Sequence, residues 1–205
     1  MKKVLSLSLA TLLMLQSCAS YQGGRLPGKD VENFANRQQQ REVHIAVDIM
    51  ANQKIRQAFQ YDLEEYEVQP VYIVIDNRSK QSYHFKKSDL NKQIYSAKEV
   101  AEKVQFSTAG RSTGYGVLGA VGTFIILWPL AFFTVPAIVD GMNASQANQR
   151  ILDDYSFKEI EDGRVLPNGL LTGVVYVPRM KEGEEFSLRL TDVESGDILR
   201  FRFQK

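Results

Sequence analysis

From Phe186 to Phe203, large apolar residues recur at every second position on either side of one turn. Phe186, Leu188 and Leu190 alternate with Ser187, Arg189 and Thr191, and Leu199, Phe201 and Phe203 alternate with Arg200 and Arg202. Successive side chains of an extended chain point to opposite faces, so the pattern predicts two strands, each with one buried face. Glu194-Ser195-Gly196-Asp197 supplies the turn between them. A lone hairpin is marginal in water, so other strands must cover this one. The same period returns earlier in the chain. Val43, Ile45, Val47 and Ile49 alternate with His44, Ala46 and Asp48, with His44 on the solvated face. Residues 71–75 are apolar on both faces, as in a central strand, and Asn77 to Gln81 form a turn into a strand over 82–86. There Tyr83 and Phe85 share one face and His84 takes the exposed one. Residues 174–177 add a further strand before the final hairpin. About seven short strands thus fall in two blocks, 43–95 and 165–204. Neither block suffices for a closed core, so the two are expected to combine into a mainly β fold with a helical insertion at about 97–160.

Three segments have helical spacing. Ile55, Ala58, Phe59 and Leu63 predict a short amphipathic helix after Asn52. Ser96-Ala97-Lys98-Glu99 matches a capping box, with Val100 and Val104 as the apolar stripe of the helix it opens. Ala144, Ala147, Ile151 and Tyr155 predict another helix, ending near Tyr155 or a little beyond. Residues 18–41, with Gly23-Gly24, Pro27-Gly28 and Gln38-Gln39-Gln40, are expected to be a tether, helical at most near its end.

The N-terminus carries an address. Lys2 and Lys3 precede an apolar run over 4–15, too short for a stable span, so residues 1–17 are read as a secretion signal. Leu15-Gln16-Ser17-Cys18 resembles the lipobox of bacterial lipoproteins, in which a peptidase cuts before a cysteine that carries lipid. The resemblance implies a covalent diacylglycerol and an N-acyl chain on Cys18, the only cysteine of the chain, and no other cofactor. Several acyl chains make a stable anchor where one is marginal. Ala19, rather than Asp, after the cysteine resembles the pattern that sends such proteins to the outer membrane of a diderm cell. Removing Lys2 and Lys3 from the 25 basic residues leaves 23 against 24 acidic, which gives no electrostatic reason to bind nucleic acid.

Residues 112–139 contain no charge. About 20 apolar residues are needed to cross a bilayer. The 17 from Ser112 to Trp128 reach about 25 Å as a helix, and the ten from Leu130 to Val139 are interrupted by Pro136. Lys98, Lys103 and Arg111 precede the stretch and Arg150 alone follows it, the wrong asymmetry for a single span behind a secretion signal. A span would also part the two strand blocks. A hairpin bent near Trp128-Pro129 is therefore expected. Gly116, Gly119, Ala120 and Gly122 would let its arms approach closely, and Phe124, Ile125, Leu127, Trp128, Pro129, Phe132 and Phe133 would meet a bilayer or a membrane partner. Packing of the hairpin on its own domain is the alternative.

Residues 69–85, QPVYIVIDNRSKQSYHF, together with LPNGLLTGVVYVPR and FSLRLTDVESGDILRFRF, resemble the immunoglobulin-like domain of bacterial cell-envelope lipoproteins. The motif is Pro167-x-Gly169-x3-Gly173-x-Val175-Tyr176-x-Pro178. The resemblance implies an Ig-like β-sandwich over 42–205, interrupted by the insertion, and no catalytic residues. The chain has no H-E-x-x-H, Gly-x-Ser-x-Gly or Walker loop, and Gly110-Arg111-Ser112-Thr113-Gly114 lacks the lysine of a phosphate loop. Two histidines on polar strand faces make a poor metal site, and the pairs Glu64-Glu65 and Asp153-Asp154 are expected to be solvated. The expectation is a lipid-anchored, non-enzymatic interaction or scaffold module with an envelope protein partner. A binder of a lipid-like ligand and a hydrolase of envelope polymers are the alternatives. If Cys18 carries lipid, Cys18→Ser will abolish incorporation of radiolabelled or clickable palmitate, and labelling that survives in that variant would refute the anchor.

Overall fold

The computed structural model describes residues 21–105 and 131–205, and for 131–144 the backbone alone. Eight strands are described: β1 (Arg37–Gln40), β2 (Val43–Ile49), β3 (Val68–Asn77), β4 (Tyr83–Phe85), β5 (Gly163–Val165), β6 (Gly169–Pro178), β7 (Glu185–Asp192) and β8 (Ile198–Gln204). Three helices accompany them: α1 (Asn52–Phe59), α2 (Ala97–Val104) and α3 (Ala131–Lys158). These residues divide between two compact units. One contains residues 21–22, 105 and 131–151, and the other contains 23–104 and 152–205 with every strand. In the first unit the structure joins the second arm of the expected hairpin and the helix that follows it, for α3 continues from Ala131 through Pro136. Among the described residues no helix is long and apolar enough to cross a membrane.

The strand-bearing unit has two antiparallel sheets of four strands, ordered β1-β2-β3-β6 and β5-β4-β7-β8. The expected alternation decides which side chains meet. Val43, Ile45 and Val47 of β2 and Val71, Ile73 and Ile75 of β3 lie in one core with Phe186, Leu188, Leu190, Leu199, Phe201 and Phe203 of the last hairpin. The two strand blocks therefore complete one interior. Strand β3 is buried along its whole length except at Asp76, because its other face is covered too. Tyr72 packs beside Phe34 at 6.0 Å between ring centroids, and Tyr176, next to the core residues Val175 and Val177, turns to Phe59 of α1 at 5.9 Å.

Two buried polar residues hold the ends of β3. Pro70 has no N–H to give the neighbouring chain, although its carbonyl accepts from Met50 N at 3.1 Å. The fully buried Gln69 fills the gap: its Nε2 donates to Met50 O at 2.7 Å, and its Oε1 accepts from Lys205 Nζ at 2.7 Å. At the other end Asn77 Nδ2 donates to Gln81 O at 2.7 Å and Leu166 O at 2.9 Å, while its Oδ1 accepts from Ser79 N and Oγ. Asn77 thereby fixes both the turn into β4 and the crossing from β5 to β6.

The stretch expected as a tether is folded from Gly23 onward. Gly24 N donates to Ala58 O at 3.0 Å, and a Cβ on Gly24 would stand 1.7 Å from Gln57 O, so only glycine lets the chain lie this close to α1. Val31 and Phe34 are buried, and β1 pairs with β2 through Arg41 and Glu42, both at positive φ (47° and 61°). The glutamines of β1 then bridge to the other sheet: Gln38 Nε2 donates to Arg202 O and Gln40 Nε2 to Arg200 O. On the opposite flank, Tyr95 N donates to Tyr176 O at 2.8 Å and Ile160 N to Val174 O at 2.9 Å, closing the free edge of β6. The capping box forms as expected, with Ser96 N bonded to Glu99 Oε2 at 2.7 Å and Glu99 N to Ser96 Oγ at 3.2 Å. Helix α1 ends at Phe59, so Leu63 is buried from a following 3-10 turn and not from the helix.

Gly173 lies where Ile160 crosses β6, and a Cβ there would come within 2.7 Å of the Ile160 backbone. Gly173→Ala is expected to cost about 1–3 kcal/mol, the usual scale of overpacking. Urea unfolding should lose midpoint with little change in slope.

Candidate functional site

The expected lipobox and lipid site, Leu15, Gln16, Ser17 and Cys18, and the expected hairpin residues Gly116, Gly119, Ala120, Gly122, Phe124, Ile125, Leu127, Trp128 and Pro129 lie outside the described residues. Phe132 and Phe133 lie in the first turn of α3. Three other places in the strand-bearing unit gather polar groups.

At the end of α3, Lys158 is 4% exposed. Its Nζ donates to Ala58 O at 2.8 Å, pairs with Asp154 one turn back and sits 5.0 Å from the Phe59 ring centroid. Burial pushes the ammonium pKa down, and Asp154 opposes the shift. The Tyr155 and Tyr176 rings stack 6.0 Å apart beside Phe59, and Tyr176 Oη donates to Tyr155 O at 3.0 Å. Burial raises both phenol pKa values far above their ordinary value. Every one of these polar groups is engaged by its neighbours. The cluster fastens α1, the end of α3 and the Gly23–Gly24 segment to one another.

A cleft of about 530 Å3 opens beside it, between the 25–36 segment and α1. Leu26, Pro27, Phe34 and Met50 give it apolar walls, and Arg25 and the Asp48–Lys54 ion pair stand at its rim. The volume is that of a small-molecule site.

The third place is the outward face of β5-β4-β7-β8. Strand alternation that sends Phe186, Leu188, Leu190, Phe201 and Phe203 inward sends Arg189, Arg200 and Arg202 out, all exposed. In register, Arg164 stands beside His84 and His84 beside Thr191, while Arg189 directly faces Arg200 and Ser187 faces Arg202. Lys86, extended just past β4, is exposed as well. Arg189 reaches Asp89 at 3.1 Å, and a shallow depression of about 260 Å3 runs from Asp89 and Asn91 to Arg200 and Arg202.

His44 departs from expectation. Its side chain is 16% exposed and its Nδ1 lies 3.9 Å from Glu32, because the folded 31–33 turn approaches this face of β2. His84 is half-buried on the outward face. Glu64 is also partly shielded, 3.5 Å from Arg179. Among the described residues no group of three His, Cys, Asp or Glu side chains gathers as metal ligands would. Alternation already placed the three arginines of the last hairpin on one face. The Gln38, Gln40, Gln69 and Lys158 contacts carried no such periodic signal, and only Pro70 hinted that a neighbour must replace a missing donor.

No protein-family model matches the chain, and no curated protein or solved structure does either.

In the turn after β7, the Asp192 carboxylate accepts from Glu194 N at 2.8 Å and Ser195 N at 3.0 Å, and these bonds hold its pKa below the usual carboxylate value. A carboxylate depressed in the folded state adds stability above its unfolded pKa, and that stability is lost as pH falls through the folded value. Thermal melts of Asp192→Asn should therefore lose less stability than wild type on acidification below about pH 4.

Proposed function

We propose that the chain is a lipid-anchored cell-envelope protein whose Ig-like β-sandwich works as a non-enzymatic interaction module. The observation that carries this reading is the strand order. With β2, β3, β4, β6, β7 and β8 taken as A, B, C, E, F and G, the sheets read A-B-E and C-F-G, the arrangement of immunoglobulin-type sandwiches. β1 extends the first sheet beside A, and β5 extends the second beside C. One sheet is covered on both faces, and the other presents a charged outer face suited to contact. Four of the ionisable groups that the fold displaces, Lys158, Tyr155, Tyr176 and Asp192, are held in structural bonds, which favours binding over catalysis at those places. The lipobox supplies the anchor, and the uncharged stretch 112–139 supplies a second contact with a membrane or a membrane protein.

A second reading, a carrier of a lipid-like ligand, draws on the apolar walls of the 530 Å3 cleft. Crosslinking and mass spectrometry on native membranes separate the two. A stoichiometric protein partner supports the interaction module, whereas stoichiometric extractable lipid without a protein partner supports the carrier. Because all eight strands lie in the unit of residues 23–104 and 152–205, replacing 114–139 by a short Gly-Ser bridge should leave cooperative melting intact. Loss of the folded domain in that variant would make the stretch part of the core.

A further inference from the structure

The outer face of β5-β4-β7-β8 departs from how sheets usually arrange charge. Opposite charges tend to face each other across antiparallel strands, and like charges directly opposite are destabilising. Here Arg189 and Arg200 are register partners, and Arg202 follows on the same face of β8. Arg164 and Lys86 extend the positive field to the β4–β5 side. Among the described residues, Arg189 alone of these five has a carboxylate in ion-pair range, Asp89. A fold that spends stability on such a cluster keeps it for a ligand of opposite sign.

We infer that this face docks an acidic protein surface, and the inference rests on the interaction-module reading above. Guanidinium forks match carboxylates in two-point geometry, and four of the five cations are arginines. The face is also mixed. Glu185 lies on it opposite Gln204, Asp89 borders it, and Ser187 and Thr191 stand between the arginines. A bilayer of anionic headgroups would be repelled at both carboxylates. A protein can set single acids against the arginines and a base against Glu185.

The anchor points the same way. Gly23 and Gly24 are fixed against α1 and Asp154, on the side of β1-β2-β3-β6 that faces away from the second sheet. Four residues separate Cys18 from Gly23, so five chain steps reach at most about 18 Å. A lipid on Cys18 would therefore tether the strand-bearing unit from its helical layer, on the side opposite the arginine face.

The test uses the whole mature chain at 50 mM salt, where exposed charges are weakly screened. Poly-L-glutamate is the carboxylate probe, and the phosphate probe is the binding that phosphatidylglycerol vesicles add over neutral phosphatidylcholine vesicles, which take up the lipid anchor equally. Wild type should bind poly-L-glutamate, and phosphatidylglycerol should add little to its vesicle binding. The double variant Arg200→Glu/Arg202→Glu should lose about tenfold in affinity, and Arg164→Glu, on a different strand, should lose part of it. Lys98→Glu, on the exposed side of α2, should stay within about twofold. All these side chains are exposed, and circular dichroism checks that each variant melts like wild type. A phosphatidylglycerol-dependent gain in vesicle binding that Arg200→Glu/Arg202→Glu removes, absent poly-L-glutamate binding, or an equal loss in Lys98→Glu would each overturn the assignment. The same variants separate this claim from the reading beneath it. Partner crosslinks in native membranes that persist in Arg200→Glu/Arg202→Glu would leave the interaction module standing and remove this face from it. Their absence in wild type would remove the module itself.

Discussion

Everything else in the strand-bearing unit answers to the double burial of β3. A strand apolar on both faces cannot lie at the surface of a two-layer fold, so each side needs its own cover. The sheet with the final hairpin covers one side. Helix α1, the end of α3 and the 31–34 segment supply the other, with Phe34 beside Tyr72 and Phe59 beside Tyr176. The strand also needs its backbone bonds complete at both ends, because buried donors and acceptors without partners are costly. Gln69 and Asn77 meet that need from inside the core. Gln69 replaces the donor missing at Pro70, and Asn77 ties two turns to one side-chain amide.

How much of this the residues announce depends on whether the information is periodic. The alternations at 186–190 and 199–203 reflect one buried and one free face, while that at 43–49 sets the core residues Val43, Ile45 and Val47 against a second face that is itself covered, with Ala46 buried and His44 and Asp48 half-buried. The capping box is legible because both partners lie within one helical turn. β1 is not legible: Arg37 and three glutamines have no apolar alternation, and Arg41-Glu42 lacks the Asn or Gly usual where both turn residues have positive φ. Its pairing is set by tertiary contact. The glutamines bond to β8, and Arg41 reaches Asp197 at 2.7 Å in the turn of the other hairpin. For the same reason the segment that reads as a polar tether is ordered, since its glycines matter for what they let approach.

The candidate surface was half legible. Alternation set Arg189, Arg200 and Arg202 on one face, but strand pairing was needed to make Arg189 and Arg200 opposite neighbours and to bring Arg164 and His84 onto the same sheet. The four edges also become clear only in three dimensions. β1 and β8 are bridged by glutamine side chains, β6 is closed by Tyr95 and Ile160, and β5 is only three residues long. Exposed edges invite pairing between chains, and these devices leave little edge available.

The pairing of β3 with β6 also sets an order of events. Val68 meets Pro178 and Asn77 meets Gly169, so the apolar centre of the first sheet stays open until about a hundred further residues have followed. Contacts so distant in sequence close slowly, because loop entropy must be overcome before they contribute. A chain emerging N-terminus first therefore exposes β1, β2 and β3 as an unfinished three-stranded sheet while everything between is made. The sheet is completed only when β6 arrives, and until then the apolar strands of the first half carry an unpaired edge of the kind that favours aggregation.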